Sequence, residues 1–240
     1  KLPGKGRTAI SISFPRISIL TGHYGSGKTN LAVNIARHLA KEEGQQVVLF
    51  DLDIVNPYFR SSDFTELLEE EGIEVCSPLY ANSNLDIPAL TGRLDAVLAG
   101  DHRHIVIDVG GDDAGAYALG RYSEKLTALG EHQMYYVINC YRYLTRTPEE
   151  ALELLGEIEA ASRLKATALI NNSNLGTETQ PQTLADSMAF AEAVSCLSGL
   201  PLAFSAVLQE QEKDAPVLPQ LYGKPLFPVK RLVKTVWEQP

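Results

Sequence analysis

Short apolar runs alternate along this chain with stretches of helical periodicity. Ile17-Ser18-Ile19-Leu20, Val47–Phe50, Ile73–Cys76, Ile105-Val106-Ile107, Met134–Ile138, Ala168-Leu169-Ile170 and Leu202–Val207 read as strands. After the first run, Leu31, Ile35 and Leu39 recur on one helical face, with Ala32, Ala36 and Ala40 beside them, and the pattern stops near Lys41 to Gly44. Ser61 to Glu71 reads as a helix with Phe64, Leu67 and Leu68 on one face. Another lies within Leu85 to Leu98, clearest from Thr91, and Thr183 to Leu197 is a third. Thr147-Pro148-Glu149-Glu150 carries a capping box with proline in the first turn.

Strands that alternate with helices imply parallel pairing in a layered α/β domain. In such sheets ligands lie beyond the carboxyl ends of the strands, so the polar residues there are the ones to inspect. Thr8 to Phe14 alternates like an extra edge strand, making residues 1–16 an N-terminal extension or edge strand. Residues 17–240 are expected to form one domain. Its tail, dense in proline after Ala215 (Pro216, Pro219, Pro225, Pro228), wraps around it.

Composition narrows the classes. The chain has 240 residues, 45% apolar and 21% charged, as an ordinary globular protein does. No apolar run reaches the roughly 18 residues of a membrane span, and the basic start, Lys1 to Arg16, has no apolar signal core. A cytoplasmic location is expected. Cys76, Cys140 and Cys196 are far apart and read as small buried residues rather than a metal or disulfide framework. The net charge of −9 argues against broad nucleic-acid binding. The five histidines show no ligand spacing. Lys230 to Trp237 is basic and amphipathic but barely two helical turns long, so packing is expected of it and membrane attachment is not.

The chemistry begins at Gly22-His23-Tyr24-Gly25-Ser26-Gly27-Lys28-Thr29, a complete G-x-x-x-x-G-K-[ST] phosphate loop between a strand and a helix. Its glycines let backbone N–H groups turn inward on phosphate oxygens. Lys28 is placed to reach the β/γ-phosphates and Thr29 to ligate Mg²⁺, and the helix start through Asn30 adds its positive end. Two strands end in aspartates, Asp51-Leu52-Asp53 and Asp108. Mg²⁺ takes hard oxygen ligands, so Asp108 at the end of an apolar strand is the expected Walker B residue. Asp51 and Asp53 are two apart and face one way. One can hold the water shell of the metal while the other orients the attacking water. Gly110 allows backbone to approach a γ-phosphate, and Gly110 to Gly115 reads as a loop that senses it.

The loop, the Asp-x-Asp strand end and Ile105-Val106-Ile107-Asp108-Val109-Gly110-Gly111 together resemble the MinD/ParA/CobQ-like (SIMIBI-class) P-loop ATPases, over most of residues 17–208. The resemblance implies a three-layer α/β/α P-loop NTPase with a mostly parallel central sheet, ATP, Mg²⁺ and often a nucleotide-bridged homodimer. By it, Asp51 looks like the magnesium-shell carboxylate and Asp53 like the water-positioning one, with Lys28 and Asp53 catalytic. Leu169-Ile170-Asn171-Asn172-Ser173 looks like the strand end whose asparagine recognises adenine, with Asn172 favoured over Asn171, although Asn-Asn-Ser-Asn is also turn composition. His23 and Tyr24 stand where the partitioning relatives carry a signature lysine and a glycine, so activation across a dimer by that lysine is not carried over.

Three functions compete. A Mg²⁺-dependent ATPase acting as a nucleotide switch leads. An ATP-dependent small-molecule enzyme, carboxylate-activating or kinase-like, is the alternative, motivated by the polar segments Asn56–Arg60 and Asn82–Asp86. A nucleotide-binding adaptor is the third. Arg60 and, less strongly, Arg142 are further candidates for phosphate or an acidic group.

Overall fold

A computed structural model describes residues 12–41, 43–53, 65–77, 86–100, 103–111 and 113–232. Among the described residues eight strands form one sheet: β1 (Ile17–Thr21), β2 (Val47–Leu52), β3 (Ile73–Cys76), β4 (His104–Val109), β5 (His132–Ile138), β6 (Ala168–Asn171), β7 (Leu202–Leu208) and β8 (Leu226–Val229). Their order is β3-β2-β4-β1-β5-β6-β7-β8, and every pair is parallel. The helices are α1 (Lys28–Lys41), α2 (Thr65–Glu70), α3 (Asp86–Ala99), α4 (Asp113–Gly120), α5 (Ser123–Leu129), α6 (Pro148–Ser162), α7 (Pro181–Asp186) and α8 (Met188–Ser198).

Strand alternation sorts the core into two layers. On one face Leu20, Leu49, Val106, Val137 and Ile170 pack against Leu31, Ala32, Ile35, Ala36 and Leu39 of α1. On the other, Ile19, Phe50, Ile107, Tyr136 and Leu169 meet α3, α4, α5, α6 and α8 through Leu94, Leu119, Leu126, Leu155 and Val194. The result is a three-layer α/β/α P-loop NTPase-like sandwich whose sheet is wholly parallel. β1 lies between β4 and β5, where the strand order turns, so the crevice of such a sheet opens beside its carboxyl end.

Each of the seven apolar runs read as a strand is present. The cap of α6 is as expected: the Thr147 side chain accepts from the Glu150 amide at 3.2 Å, and the Glu150 carboxylate accepts from the Thr147 amide at 3.1 Å. Several expectations need correction. The helix expected over Thr183–Leu197 is two, broken at Ser187, whose amide and hydroxyl both turn back to the Leu184 carbonyl. Of the helix expected over Ser61–Glu71, Thr65–Glu70 is present and Glu71 lies in the turn that follows, while 61–64 are outside the described residues. Of the edge strand over Thr8–Phe14, residues 8–11 lie outside the described residues. Ile12 to Phe14 belong to no strand, and Phe14 instead enters an aromatic cluster with Tyr135, Phe204 and Phe227.

The proline-dense tail carries an element the pattern did not reveal. Its segment β8 pairs with β7 and extends the sheet. Beyond it the chain is hung on α1: Lys230 N donates to Asn34 Oδ1 at 2.8 Å, Asn34 Nδ2 donates to Lys230 O at 2.9 Å, and Leu232 N donates to Asn30 Oδ1 at 2.9 Å. This contact explains why Asn34 is buried outside the apolar stripe of α1.

Candidate functional site

The loop motif fills the step from Thr21 to Lys28, between the central strand and α1. Ser26 N donates to His23 O at 3.1 Å, and Leu31 N to Gly27 O opens the helical ladder. Gly27 has φ +86, a region that disfavours side chains. A Cβ there would also collide with Asn172 Nδ2. Lys28 is buried at the helix start, and its ammonium donates to His23 O at 2.9 Å. The His23 ring donates from Nδ1 to Tyr24 O at 2.8 Å. Burial, and then the Lys28 charge, lowers its pKa, so His23 is neutral at pH 7. Ser26 Oγ is buried and completes no hydrogen bond among the described residues.

The acidic side comes from β2 and β4. Asp51 and Asp108 are register partners on these adjacent parallel strands, so their side chains share a face, the one that α1 covers. Both are essentially inaccessible to solvent, at 0% and 1% exposure. Asp53 lies just past β2, and its amide donates to Asp51 Oδ1 at 2.9 Å. Burial pushes Asp108 up to about 7. Lys28 and the Thr29 hydroxyl pull it back, and Asp53 adds to the rise. The Thr29 hydroxyl is close enough to favour the charged form. Even so, neither Asp108 oxygen completes a hydrogen bond of normal geometry among the described residues.

Beyond β4 the close approach to the phosphate loop falls on Gly111. A Cβ on it would lie 2.5 Å from Tyr24 N and 3.0 Å from Lys28 Nζ, so only glycine lets this backbone lie on the loop. The Gly-Gly pair at a strand end was the available signal for it. Gly110 is buried one residue earlier, packed against Gly115. The segment Gly110–Gly115 is not loop throughout, because Asp113 to Gly115 are the first turn of α4.

The two asparagines after β6 diverge, as neighbours on an extended chain must. Asn171 is turned inward. Its Nδ2 donates to Ser187 Oγ at 2.9 Å, and its Oδ1 accepts from Ser173 N at 3.1 Å. Asn172 faces the phosphate loop and donates to Ser26 O at 2.7 Å. Asn174 stands behind it, donating to Asn172 O at 2.7 Å, a residue the sequence reading passed over.

The turn after β5 is the other wall. Asn139 Oδ1 accepts from Tyr141 N, and its carbonyl accepts from Arg142 N and from Thr145 Oγ1. Leu144 holds φ +65, which costs a non-glycine residue roughly 1–2 kcal/mol. The turn lays the Arg142 stem on the phosphate loop, with Cδ and Nε 3.8 Å from where a Gly25 Cβ would be.

Arg60 and the segment Asn56–Arg60 lie outside the described residues, as do Asn82 to Leu85 and residues 233–240 of the basic tail. Of the cysteines only Cys76 is buried. Cys140 is half-buried and Cys196 exposed, the latter on the side of α8 away from Ala191 and Val194. Among the described residues no helix is long and apolar enough to cross a membrane, and no three acidic, histidine or cysteine side chains cluster as a metal site.

Known proteins agree with this architecture. The signal recognition particle receptor FtsY from Elizabethkingia anophelis is 17% identical, with a TM-score of 0.54 over 82% of this chain and 60% of that one. The cell division protein FtsY from Thermotoga maritima is 18% identical, with a TM-score of 0.54 over 83% and 64%. The Signal Recognition Particle 54 kDa protein from Aeropyrum pernix, solved in complex with GDP, is 18% identical, with a TM-score of 0.50 over 82% and 42%. At these identities the likeness is one of fold, and the chain spans less than two thirds of the length of these structures. In sequence, residues 17–175 match the family described as the CobQ/CobB/MinD/ParA nucleotide binding domain. The match covers more than half of the chain and contains the loop, both aspartate-bearing strands and the asparagine turn, so the chain belongs to that nucleotide-binding family.

Proposed function

We propose that this protein is a Mg²⁺-dependent ATP-binding protein whose ATPase cycle works as a nucleotide switch. The observation that carries the reading is the pairing of buried Asp51 and Asp108 in one register row beside the phosphate loop. A buried carboxylate with uncompleted hydrogen bonds is costly unless something meets it, and Asp108 is such a group. Together with the Thr29 hydroxyl these are hard oxygen donors of the kind that suits Mg²⁺. Thr29, Asp51 and Asp108 would hold the ion, which when bound neutralises charge on the phosphate oxygens.

The residues of the chain then have distinct tasks. Lys28 leaves the His23 carbonyl for the β/γ-phosphates. The backbone of Gly22, His23, Tyr24, Gly25, Ser26 and Gly27, with the first turn of α1 through Asn30, cradles the phosphate chain. Asp53, at the mouth of the acidic pair, orients the attacking water. Asn172 holds the loop through Ser26 and borders the base, while the inward bonds of Asn171 leave the base to its neighbour. Gly111 forms the contact with the phosphate loop that a γ-phosphate would remake, and Gly110 leads into it; this Gly-Gly step is the switch element.

Calorimetric titration with ATP and with GTP, with and without Mg²⁺, tests the reading and its choice of base. Tight Mg²⁺-dependent binding of ATP, lost in Lys28→Ala, is expected. GTP preferred over ATP would replace the nucleotide, and no binding of either would overturn the function. The small-molecule enzyme alternative leans on 56–60 and 82–86; of these, 56–60 and 82–85 lie outside the described residues.

A further inference from the structure

We propose that Arg142 is a second cationic residue on the phosphate chain of the bound nucleotide, reaching it over Gly25. The inference rests on the nucleotide reading above and adds a residue to its site.

Arg142 comes from the turn after β5, the strand beside β1. Its stem lies along the phosphate loop at Gly25. Its Nε is buried and completes no hydrogen bond among the described residues, and its guanidinium makes no ion pair among them. Arg16, Arg37, Arg93 and Arg103 each end on a carboxylate, and Arg163 on the Gly120 carbonyl. Arg121 and Arg146 also make no ion pair among the described residues, but only Arg142 lies on the phosphate loop with its Nε buried. A guanidinium is always charged and suits planar, forked recognition of phosphate. Arg142 is half-buried, and its buried Nε lacks the partner that would offset its desolvation.

Two further observations point the same way. Ser26, the residue after Gly25, has a buried hydroxyl that also completes no hydrogen bond among the described residues. The turn that aims Arg142 is built with care. Asn139 O accepts from Arg142 N at 3.2 Å and from Thr145 Oγ1 at 2.9 Å, and Thr145 N donates to Arg142 O at 3.3 Å. The left-handed Leu144 is retained inside that turn. Strained backbone persists where its surroundings hold it, and it concentrates at ligand sites. Lys28 approaches the loop from the α1 side and Arg142 from the β5 side, so an anion in the loop would be held between two cations.

The test compares wild type with Arg142→Ala and Arg142→Lys, using the nucleoside triphosphate that wild type binds and inorganic tripolyphosphate, which has neither base nor ribose. Arg142→Ala should weaken both ligands by the same factor, about tenfold or more. Arg142→Lys should recover part of the loss. Melting of the ligand-free variants reports folding separately and should stay close to wild type. Unchanged affinity for both ligands in Arg142→Ala overturns the inference. So does a loss confined to the nucleoside triphosphate, which would put Arg142 on the base or ribose. A fall in ligand-free melting that accounts for the whole loss would make Arg142 a brace for the loop and overturn it too. If wild type binds neither ligand, the nucleotide reading itself fails, a result distinct from all of these.

Discussion

Asp108 near the end of β4 and Asn171 at the end of β6 lie on opposite faces of the sheet. Each is a polar residue at a strand carboxyl end, at 1% and 0% exposure. Yet Asn171 is fully engaged by Ser187 and Ser173, whereas neither Asp108 oxygen completes a hydrogen bond among the described residues. Asn171 ties β6 to the break between α7 and α8. Asp108 contributes no such tie and raises the energy of the folded chain when charged. Burial alone therefore does not distinguish the two residues; whether their polar atoms are already engaged does. On the function proposed above, that difference separates a structural strand end from a ligand-binding one.

The largest effect that could break this contrast lies beside Asp108. Lys28→Ala should cut affinity for Mg²⁺-ATP by about 100-fold with little change in ligand-free melting, as calorimetry and a thermal melt would show. If the melt collapses instead, Lys28 is structural and the contrast loses its functional side.

Asp108→Asn comes next. The folded pKa of Asp108 is raised from 3.8 to about 7. Between those values the folded chain holds a proton that the unfolded chain has released, so stability falls as pH rises through the window. In metal-free protein the Asn variant should melt above wild type at pH 8, and the gap should close towards pH 4. Mg²⁺-dependent nucleotide binding should weaken in the same variant. A gap that does not vary with pH would remove the buried charge from the argument.

Asn171→Ala should act in the opposite sense, costing about 1–3 kcal/mol of stability in denaturant titration while leaving nucleotide affinity within about twofold. Asn172→Ala is expected to be the mildest. Loss of its bond to Ser26 should cost about 1 kcal/mol and weaken nucleotide binding a few-fold. Reversed effects for the two asparagines would mean that Asn171, not Asn172, serves the ligand.

Much of this was legible in the sequence because it is local. The strands of the central sheet are continuous apolar runs buried on both faces, and the phosphate loop is contiguous. Asp51 and Asp108 could be found because they terminate such runs. Elements of weak signal escaped. β8 contains Pro228, which reads as a strand breaker but is tolerated on this edge strand, hydrogen-bonded on one side only. α4 and α5 are short, and α4 is rich in glycine and alanine after a glycine pair. The contact of Arg142 with Gly25 depends on β5 lying beside β1, a fact of sheet order that no spacing along the chain encodes. The bonds of Asn30 and Asn34 to Lys230 and Leu232 are hidden for the same reason.

Those last bonds constrain how the molecule can move. α1 is gripped by the sheet below and by the chain beyond β8 at its first turns, where Asn30 directly follows Thr29. Sliding or rotating the helix would shear three hydrogen bonds and drag the β7–β8 edge with it. In the proposed cycle the helix would be the fixed frame, and nucleotide-driven motion would fall to the backbone that lies on the phosphate loop at Gly111.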